Sequence, residues 1–183
     1  MCRPPTPPAL PAATVVTERL VLRVLTSDES RAIVDGRREG RAWADDYPTE
    51  EDVVVAALAM ESGEEPQPPW CTYQVVERAT EVVVGGAGFK GPPRAGVIEV
   101  GYGLAASARG RGYATEAVRA LVGLAHDHAN KLSVEAETDP GNTASQRVLL
   151  RAGFTHMGMR EGMRWFRLEA RHDGRTSAHE QAS

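Results

Sequence analysis

The chain has 183 residues, of which 42% are hydrophobic and 25% are charged, as expected for one globular domain with a substantial core. The net charge of −4 argues against nucleic acid as the main partner, and the lack of an apolar run of about 18 residues argues against a membrane span. Two cysteines, Cys2 and Cys71, indicate neither a disulfide framework nor a metal-ligand spacing, so we expect a cytoplasmic protein.

The first third of the chain predicts a strand and two helices behind a proline-rich tail. Residues 1–13 contain five prolines and lack the apolar stretch of a secretory signal, so we expect them to be disordered. Alternating apolar residues predict one strand from Thr14 to Arg23. Capping-box patterns at Thr26-x-x-Glu29 and Thr49-x-x-Asp52 each predict the start of a helix, and the first helix should run to about Arg38.

Strands with short connections follow the second helix. Residues 70–77, 82–90 and 97–104 read as three strands, which predicts an antiparallel meander. Apolar residues then recur at helical spacing from Ala114 to Ala125. Because this helix forms a crossover, the next strand, at residues 132–138, should lie parallel to the strand at residues 97–104.

The last elements are a helix and a hairpin. Asn142 can cap a helix that extends to Ala152, and residues 154–159 and 163–168 should form two antiparallel strands. Residues 171–183 are polar and are expected to fray. The sequence therefore predicts a single mixed α/β (α+β) domain over residues 14–170, with one parallel crossover in an otherwise antiparallel sheet.

A glycine-rich segment, Arg109-Gly110-Arg111-Gly112-Tyr113-Ala114, lies between a predicted strand and the amphipathic helix. Such a loop can leave several backbone N–H groups free at a helix N-terminus, where the helix dipole adds partial positive charge. The two arginines can add charge-assisted contacts. The segment therefore favours a phosphate or pyrophosphate site, and the alternative is a tight turn with solvated arginines.

Four stretches together resemble a known family. Arg109-x-x-Gly112-x-Ala114 is similar to the Arg/Gln-x-x-Gly-x-Gly/Ala signature of the GNAT superfamily of acetyl-CoA-dependent N-acetyltransferases. Glu99-Val100-Gly101-Tyr102, Asn142-Thr143-Ala144-Ser145 and Gly153-Phe154 occur in the order typical of its RimJ/RimL-type branch. The resemblance covers residues 14–170 and implies a mostly antiparallel sheet of roughly six to seven strands, about four helices and a parallel strand pair that splays apart.

The resemblance also implies how acetyl-CoA would bind. The main-chain groups of Tyr102 and Leu104 would hold the pantetheine arm between the splayed strands, and the Leu104 amide would stabilise the oxyanion. An acyl donor longer than acetyl is an alternative, which the size of the pocket beyond Leu104 would decide. The pyrophosphate would bind the loop formed by Arg109, Gly110, Arg111, Gly112, Tyr113, Ala114 and Thr115.

Acetyl transfer to an amine needs a base, because amine acceptors are largely protonated at neutral pH. Glu99 lies on the strand that leads to the glycine loop. Glu137 lies on the parallel neighbour, where protein N-terminal acetyltransferases of the superfamily carry a glutamate base. Glu135 is a lesser candidate on the same strand face. The alternative for each is a solvated carboxylate on a strand.

The general acid is less clearly marked, because many family members carry a tyrosine where this chain has Leu149. Ser145 is the replacement candidate, which would protonate or orient the leaving thiol, although it can also simply complete the helix N-terminus. Asn142 would cap this helix and also touch the pantetheine arm. The missing tyrosine leaves open a non-catalytic acyl-CoA-binding or regulatory module.

The acceptor side is predicted from the connector between the first two helices, which flanks the acceptor in this superfamily. Trp43, Asp46 and Tyr47 would form an aromatic and acidic wall suited to a cationic amine, and the alternative is a surface loop with a buried tryptophan. The acceptor could be a protein N-terminus or a small amine. No metal is expected, since His126-x-His128 lies near a helix C-terminus, and the resemblance suggests a homodimer.

Overall fold

The computed structural model describes residues 14–38, 40–129 and 131–170. Both terminal tails, for which disorder and fraying are predicted, lie outside the described residues. Four helices occur in the described chain: α1 (Ser27–Val34), α2 (Glu50–Ser62), α3 (Tyr113–His128) and α4 (Thr143–Ala152). The described strands are β1 (Val15–Val16), β2 (Leu20–Val24), β3 (Thr72–Glu77), β4 (Val82–Phe89), β5 (Val97–Leu104), β6 (Ser133–Thr138), β7 (Thr155–Arg160) and β8 (Met163–Leu168).

These strands form one mixed sheet in the order β1-β2-β3-β4-β5-β6-β8-β7. Strands β3, β4 and β5 form the predicted antiparallel meander, and β5 and β6 form the predicted parallel pair across α3. The mixed fold with one parallel pair is therefore confirmed. The sheet has eight strands where roughly six to seven are predicted, because the short β1 pairs with β2 as a separate strand.

Two boundaries differ from the prediction. The single strand predicted over residues 14–23 is broken by a tight turn, in which the Thr17 N–H donates to the Leu20 carbonyl at 2.9 Å. Val15 therefore pairs back against Leu22. Helix α1 ends at Val34 and does not continue to Arg38, because the chain turns at Gly36, where φ is +65°.

The two predicted capping patterns differ in completeness. At Thr49 both halves of a capping box are present: the side chain accepts from the Asp52 N–H, and the Asp52 carboxylate accepts from the Thr49 N–H. At Thr26 the side chain accepts from the Glu29 N–H at 3.2 Å. Both caps satisfy N–H groups that lack intrahelical acceptors, which explains why the helices begin there.

Buried side chains lie on both faces of the central strands. On one face, Ala117 and Leu121 of α3 belong to the same buried cluster as Ile98 of β5. On the other face, Ala56 of α2 is clustered with Val83 of β4. Helices α3 and α2 therefore lie over opposite faces of the sheet. Within the described residues, no helix is long and apolar enough to cross a bilayer.

Candidate active site

The parallel pair β5–β6 comes apart toward the carboxyl end of both strands. The two strands pair from Val97 with Ser133 to Glu99 with Glu135. Beyond Glu99, β5 continues to Leu104 with β4 as its one partner among the described strands, while β6 continues to Thr138 with β8. A gap therefore opens between two strand edges, as the resemblance implies.

The main chain of β5 faces this gap at the two predicted positions. The Lys90 N–H donates to the Glu99 carbonyl and the Ala105 N–H donates to the Val84 carbonyl, both at 2.9 Å. Hydrogen-bonding groups alternate in direction along a strand, so those of Tyr102 and Leu104 point away from β4. The Leu104 carbonyl accepts from Arg109 Nε at 3.0 Å, which leaves its N–H facing the gap.

Two hydroxyl groups meet across the gap. The Tyr102 hydroxyl lies 2.7 Å from Ser145 Oγ and donates to the Ser145 carbonyl at 3.1 Å. Asn142 caps α4, since its Oδ1 accepts from the Ser145 N–H at 3.0 Å. Burial raises the pKa of Tyr102 to about 12, although the hydrogen bond to Ser145 opposes this, so the phenol keeps its proton at neutral pH. Leu149 is fully buried and offers no proton.

The glycine loop forms a sharp entry to α3. A single 3-10 turn at Ala106–Ala108 precedes it, and Gly110 and Gly112 have φ of +75° and +82°, which favour glycine. Within the part of the chain that the structure describes, no side chain caps α3, and the N–H groups of its first turn, including Tyr113 and Thr115, have no intrahelical acceptor. Free N–H groups at a helix N-terminus suit an anion such as pyrophosphate.

The loop arginines bind protein groups instead of pointing at that anion position. Arg111 lies 2.5 Å from the Glu77 carboxylate and stacks over the Tyr113 ring at 4.6 Å. The Tyr113 hydroxyl also donates to Glu77, as does the Thr80 hydroxyl at 2.8 Å. These donors, Tyr113 first, lower the pKa of Glu77. Arg111 thus anchors the loop to β3, and its charge-assisted contact with a phosphate stays a prediction.

Arg19 is a neighbour of the loop that the sequence interpretation missed. Its guanidinium donates to the Arg111 carbonyl at 2.8 Å and pairs with Glu116 of α3 at 2.7 Å. A cavity of about 420 Å³ beside Gly112 and Thr115 is lined in part by Arg19. Since 92 residues separate Arg19 from Arg111, no local pattern could have indicated the contact.

The two predicted bases share one cation. Lys90 Nζ lies 2.5 Å from a Glu99 oxygen and 2.6 Å from a Glu137 oxygen. Burial lowers the pKa of Lys90, but the two carboxylates outweigh burial and the net shift is upward. Glu135 pairs instead with Arg160 and Arg167, at 3.4 and 3.5 Å. The structure thus brings Glu99 and Glu137 together as a charge cluster.

The predicted acceptor wall is only partly at a cavity. Trp43 is 7% exposed and packs edge-on against Tyr47, with ring centroids 5.4 Å apart, so it belongs to the core beside α2. Asp46 accepts from the Ser107 hydroxyl at 2.6 Å and from its N–H at 2.8 Å, and these bonds lower its pKa. Tyr47 lines a large cavity, Trp43 and Asp46 are not among its lining residues, and the acceptor role of all three stays a prediction.

That cavity has a volume of about 950 Å³ and lies between α2 and the central strands. Trp70 and Phe89 give it an apolar wall, and Asp52 and Gln74 give it polar groups. It reaches Gly101, Tyr102 and Gly103 on β5, so it is continuous with the strand edge that faces the gap. Among the described residues, no cluster of His, Cys, Asp and Glu is arranged to hold a metal ion.

A family model and two curated sequences that match this chain are all acetyltransferases. The family model described as Acetyltransferase (GNAT) domain matches residues 19–155. An uncharacterized N-acetyltransferase of Bacillus subtilis, YjdG, is 33% identical over 84 residues, which are 45% of this chain and 50% of the relative. An uncharacterized N-acetyltransferase of Bacillus licheniformis, p20, is 31% identical over 48% of this chain and 49% of the relative. The chain thus spans about half the length of the curated relatives it matches.

Solved structures share the fold over nearly the whole described domain. An acetyltransferase from Agrobacterium tumefaciens is 24% identical with a TM-score of 0.62, covering 87% of this chain and 96% of that one. A ribosomal-protein-S5-alanine acetyltransferase from Vibrio fischeri is 16% identical with a TM-score of 0.60, covering 86% and 97%. RimL, a ribosomal L7/L12 alpha-N-protein acetyltransferase in complex with coenzyme A, is 19% identical with a TM-score of 0.59, covering 86% and 98%. At these identities the likeness shows the fold alone.

Proposed function

The chain belongs to the GNAT acetyltransferase family, and from this premise we propose that it transfers an acetyl group from acetyl-CoA to a primary amine by direct attack in a ternary complex. The observation that carries the proposal is the gap between β5 and β6, which opens beside a glycine loop and an uncapped helix N-terminus. An extended arm with a pyrophosphate at one end fits these two features together, since strand edges and helix N-termini each offer unpaired N–H groups.

In this proposal the main chain performs most of the binding. The N–H groups at the start of α3, from Tyr113 to Thr115, hold the pyrophosphate, and Gly110 and Gly112 let the backbone approach it closely. Main-chain groups of Tyr102 and Leu104 hold the pantetheine arm, with Asn142 at its border. The Leu104 N–H donates to the thioester carbonyl and stabilises the negative charge that develops on its oxygen.

The proton for the leaving thiol comes from the hydroxyl pair in the gap. Ser145 alone is a weak acid, but it lies 2.7 Å from the Tyr102 hydroxyl, which is protonated at neutral pH. Burial raises the pKa of Tyr102, so the phenol stays protonated and is itself a weak acid. A proton that Ser145 gives up can thus be replaced from Tyr102. The pair supplies the hydroxyl proton that a leucine at position 149 cannot provide.

A base is required on the acceptor side, where Glu99 and Glu137 are the candidates that the sequence marks. Their shared contact with Lys90 favours a second candidate function, a non-catalytic acyl-CoA-binding or regulatory module, because an ammonium occupies both carboxylates. The catalytic function is favoured by the position of Lys90, which lines the large cavity and so places the charge cluster beside a possible acceptor site. The names of RimL and of the ribosomal-protein-S5-alanine acetyltransferase suggest protein N-termini as acceptors, whereas a cavity of about 950 Å³ with an apolar wall suits a small amine.

Acetyl-CoA binding and free-thiol release together test this function. Calorimetry should show acetyl-CoA binding to the wild-type protein and weaker binding to Gly112→Val, which puts a side chain at the loop position with φ of +82°. Thiol release should then accelerate with at least one amine in a panel of peptides and small amines. Binding without acceleration across the panel would contradict catalysis and leave the binding module as the function.

A further inference from the structure

The large cavity carries an excess of negative charge. Lys90 is the basic side chain among its described lining residues, and that ammonium already contacts two carboxylates, those of Glu99 and Glu137. A cationic ligand is therefore favoured over a neutral or anionic one. The carboxylates that line the cavity are those of Glu51, Asp52, Glu64 and Glu65.

One of these carboxylates is held in place over the sheet. Asp52 Oδ2 accepts from the Thr49 N–H at 2.9 Å and from the Thr49 hydroxyl at 2.7 Å. In the described part of the chain, Oδ1 has no hydrogen-bond partner. A Cβ atom on Gly86 would lie only 2.7 Å from Oδ1, so this oxygen sits directly above Gly86 of β4. The helix cap thus fixes the carboxylate, while its second oxygen stays available.

Strand register places that oxygen close to the end of β5. Gly86 pairs with Gly103, the residue before Leu104, and neighbouring strands are about 4.8 Å apart. Glu99 is four residues earlier on β5, which is about 13 Å along an extended strand. By register, Asp52 therefore lies over the end of β5 where the proposed transfer places the thioester carbonyl, whereas the Glu99 backbone lies near the start of that strand.

A second polar group beside Asp52 also lacks a partner. Gln74 pairs in register with Gly86, lines the cavity and is 1% exposed. Its Oε1 accepts from Arg23 at 2.7 Å, and its Nε2 makes no well-formed hydrogen bond among the described residues, with the Tyr47 hydroxyl as a polar neighbour. Unpaired buried donors are rare in folded proteins, so Gln74 marks the floor of the cavity as a place for a polar ligand.

We propose that Asp52 binds the ammonium group of the acceptor and removes its proton, and that the acceptor is a cationic amine with an apolar body. The apolar body packs against Trp70 and Phe89, and the ammonium meets Asp52 Oδ1 at the β5 end of the cavity. This inference rests on the proposed acetyl transfer and assigns its base to a residue that the sequence did not mark.

The proton and electron balance is complete with the groups present. The ammonium gives one proton to Asp52, and the nitrogen lone pair forms a C–N bond to the thioester carbonyl carbon. The C–S bond breaks, the thiolate takes a proton through Ser145 and Tyr102, and the second nitrogen proton passes to solvent. Asp52 then releases its proton to solvent and Tyr102 takes one back, so the net products are the acetylated amine, the free thiol and one proton. Burial raises the pKa of Asp52, against the hydrogen bonds from Thr49, and so makes it a stronger base than an exposed aspartate.

The test measures thiol release with phenylalaninamide and with phenylalanine, which share an apolar body and an α-amine but differ in the charge of the carboxyl group. We expect phenylalaninamide to be preferred by at least about 10-fold, because a carboxylate would be repelled by the cavity. Asp52→Asn should lower kcat/KM by about 10²- to 10⁴-fold, the usual effect of removing a general base, while acetyl-CoA affinity changes by less than about 3-fold.

Thr26→Ala is the matched control, because it removes the hydroxyl that caps α1 and leaves Asp52 and its bonds to Thr49 in place. It should retain kcat/KM within about 3-fold even if α1 is loosened. Equal losses in Asp52→Asn and Thr26→Ala would mean that the loss follows from a weakened helix cap, and would overturn the inference. A loss confined to Glu99→Gln or Glu137→Gln would overturn it too, with the acetyl transfer intact. Thiol release by no amine at all would refute the transfer, and the inference with it.

Discussion

Replacing Tyr113 with phenylalanine tests whether the ionised Glu77 anchors the glycine loop. The change removes one hydroxyl from a side chain that is 4% exposed and leaves its ring in place. A hydrogen bond to a charged group contributes about 1.5–3 kcal/mol. Because Glu77 keeps its contacts with Thr80 and Arg111, we expect a loss near the lower end, about 1.5 kcal/mol of unfolding free energy. For a chain of this size that lowers Tm by about 3–6 °C.

The loss should depend on pH in a defined direction. The pKa of Glu77 is lowered in the folded protein, chiefly by the Tyr113 hydroxyl. The stabilisation is therefore fully present above the unfolded pKa of about 4.3 and is lost as pH falls through the lower folded value. Denaturant titrations from about pH 7 down to about pH 3 should show the difference between wild type and Tyr113→Phe shrinking at the acid end.

Tyr73→Phe is the control for this experiment. Tyr73 is 1% exposed and its hydroxyl donates to the neutral Pro69 carbonyl at 2.8 Å. Its removal should cost about 1 kcal/mol at every pH in the range. If the two variants showed the same pH-independent loss, the ionised Glu77 would not be the partner that matters, and the account of the loop anchor would be refuted.

Three further predictions concern the loop, the gap and the charge cluster. Gly112→Ala should lose about 1–2 kcal/mol of unfolding free energy because φ at this position is +82°, and calorimetry should show that it binds acetyl-CoA more weakly. Gly123→Ala, with open space around the new Cβ, should gain about 1 kcal/mol of unfolding free energy. Ser145→Ala and Tyr102→Phe should each lower kcat and leave acetyl-CoA affinity unchanged, and an effect on affinity alone would contradict their role as a proton source. Lys90→Met should lower the unfolding free energy by about 1 kcal/mol at low salt, since its two carboxylate partners are partly exposed. Added salt should reduce the difference in Tm between the wild type and this variant.

Local sequence patterns predict most of the fold because they encode local physics. The alternation at residues 97–104 and the helical spacing after Ala114 predict β5 and α3, and the Thr49-x-x-Asp52 pattern predicts the cap of α2. The break in the first strand escapes this reasoning, since the turn after Thr17 contains neither glycine nor proline. The end of α1 was readable in principle, because Gly36 follows its last turn.

The candidate site is less predictable because distant residues assemble it. Lys90 and Glu137 are 47 residues apart, and Asp46 and Ser107 are 61 apart, so neither contact leaves a local pattern. Asp52 illustrates a different limit. The sequence predicts its capping role, which uses Oδ2, but only the structure shows that Oδ1 lies over Gly86, next to the end of β5. Trp43 shows another limit: the sequence predicts it as part of a binding wall, but an aromatic residue in a connector can equally be buried in the core, as it is here.

The central claim is that the gap between β5 and β6 supports acetyl transfer to an amine. The most direct measurement is mass spectrometry of a reaction with acetyl-CoA and an amine panel, run beside a free-thiol assay on the same samples. Acetylated amine should form in step with free thiol, and both should fall together in Gly112→Val. Acetyl-CoA binding without any acetylated amine, or thiol release with no acetylated product, would contradict the claim.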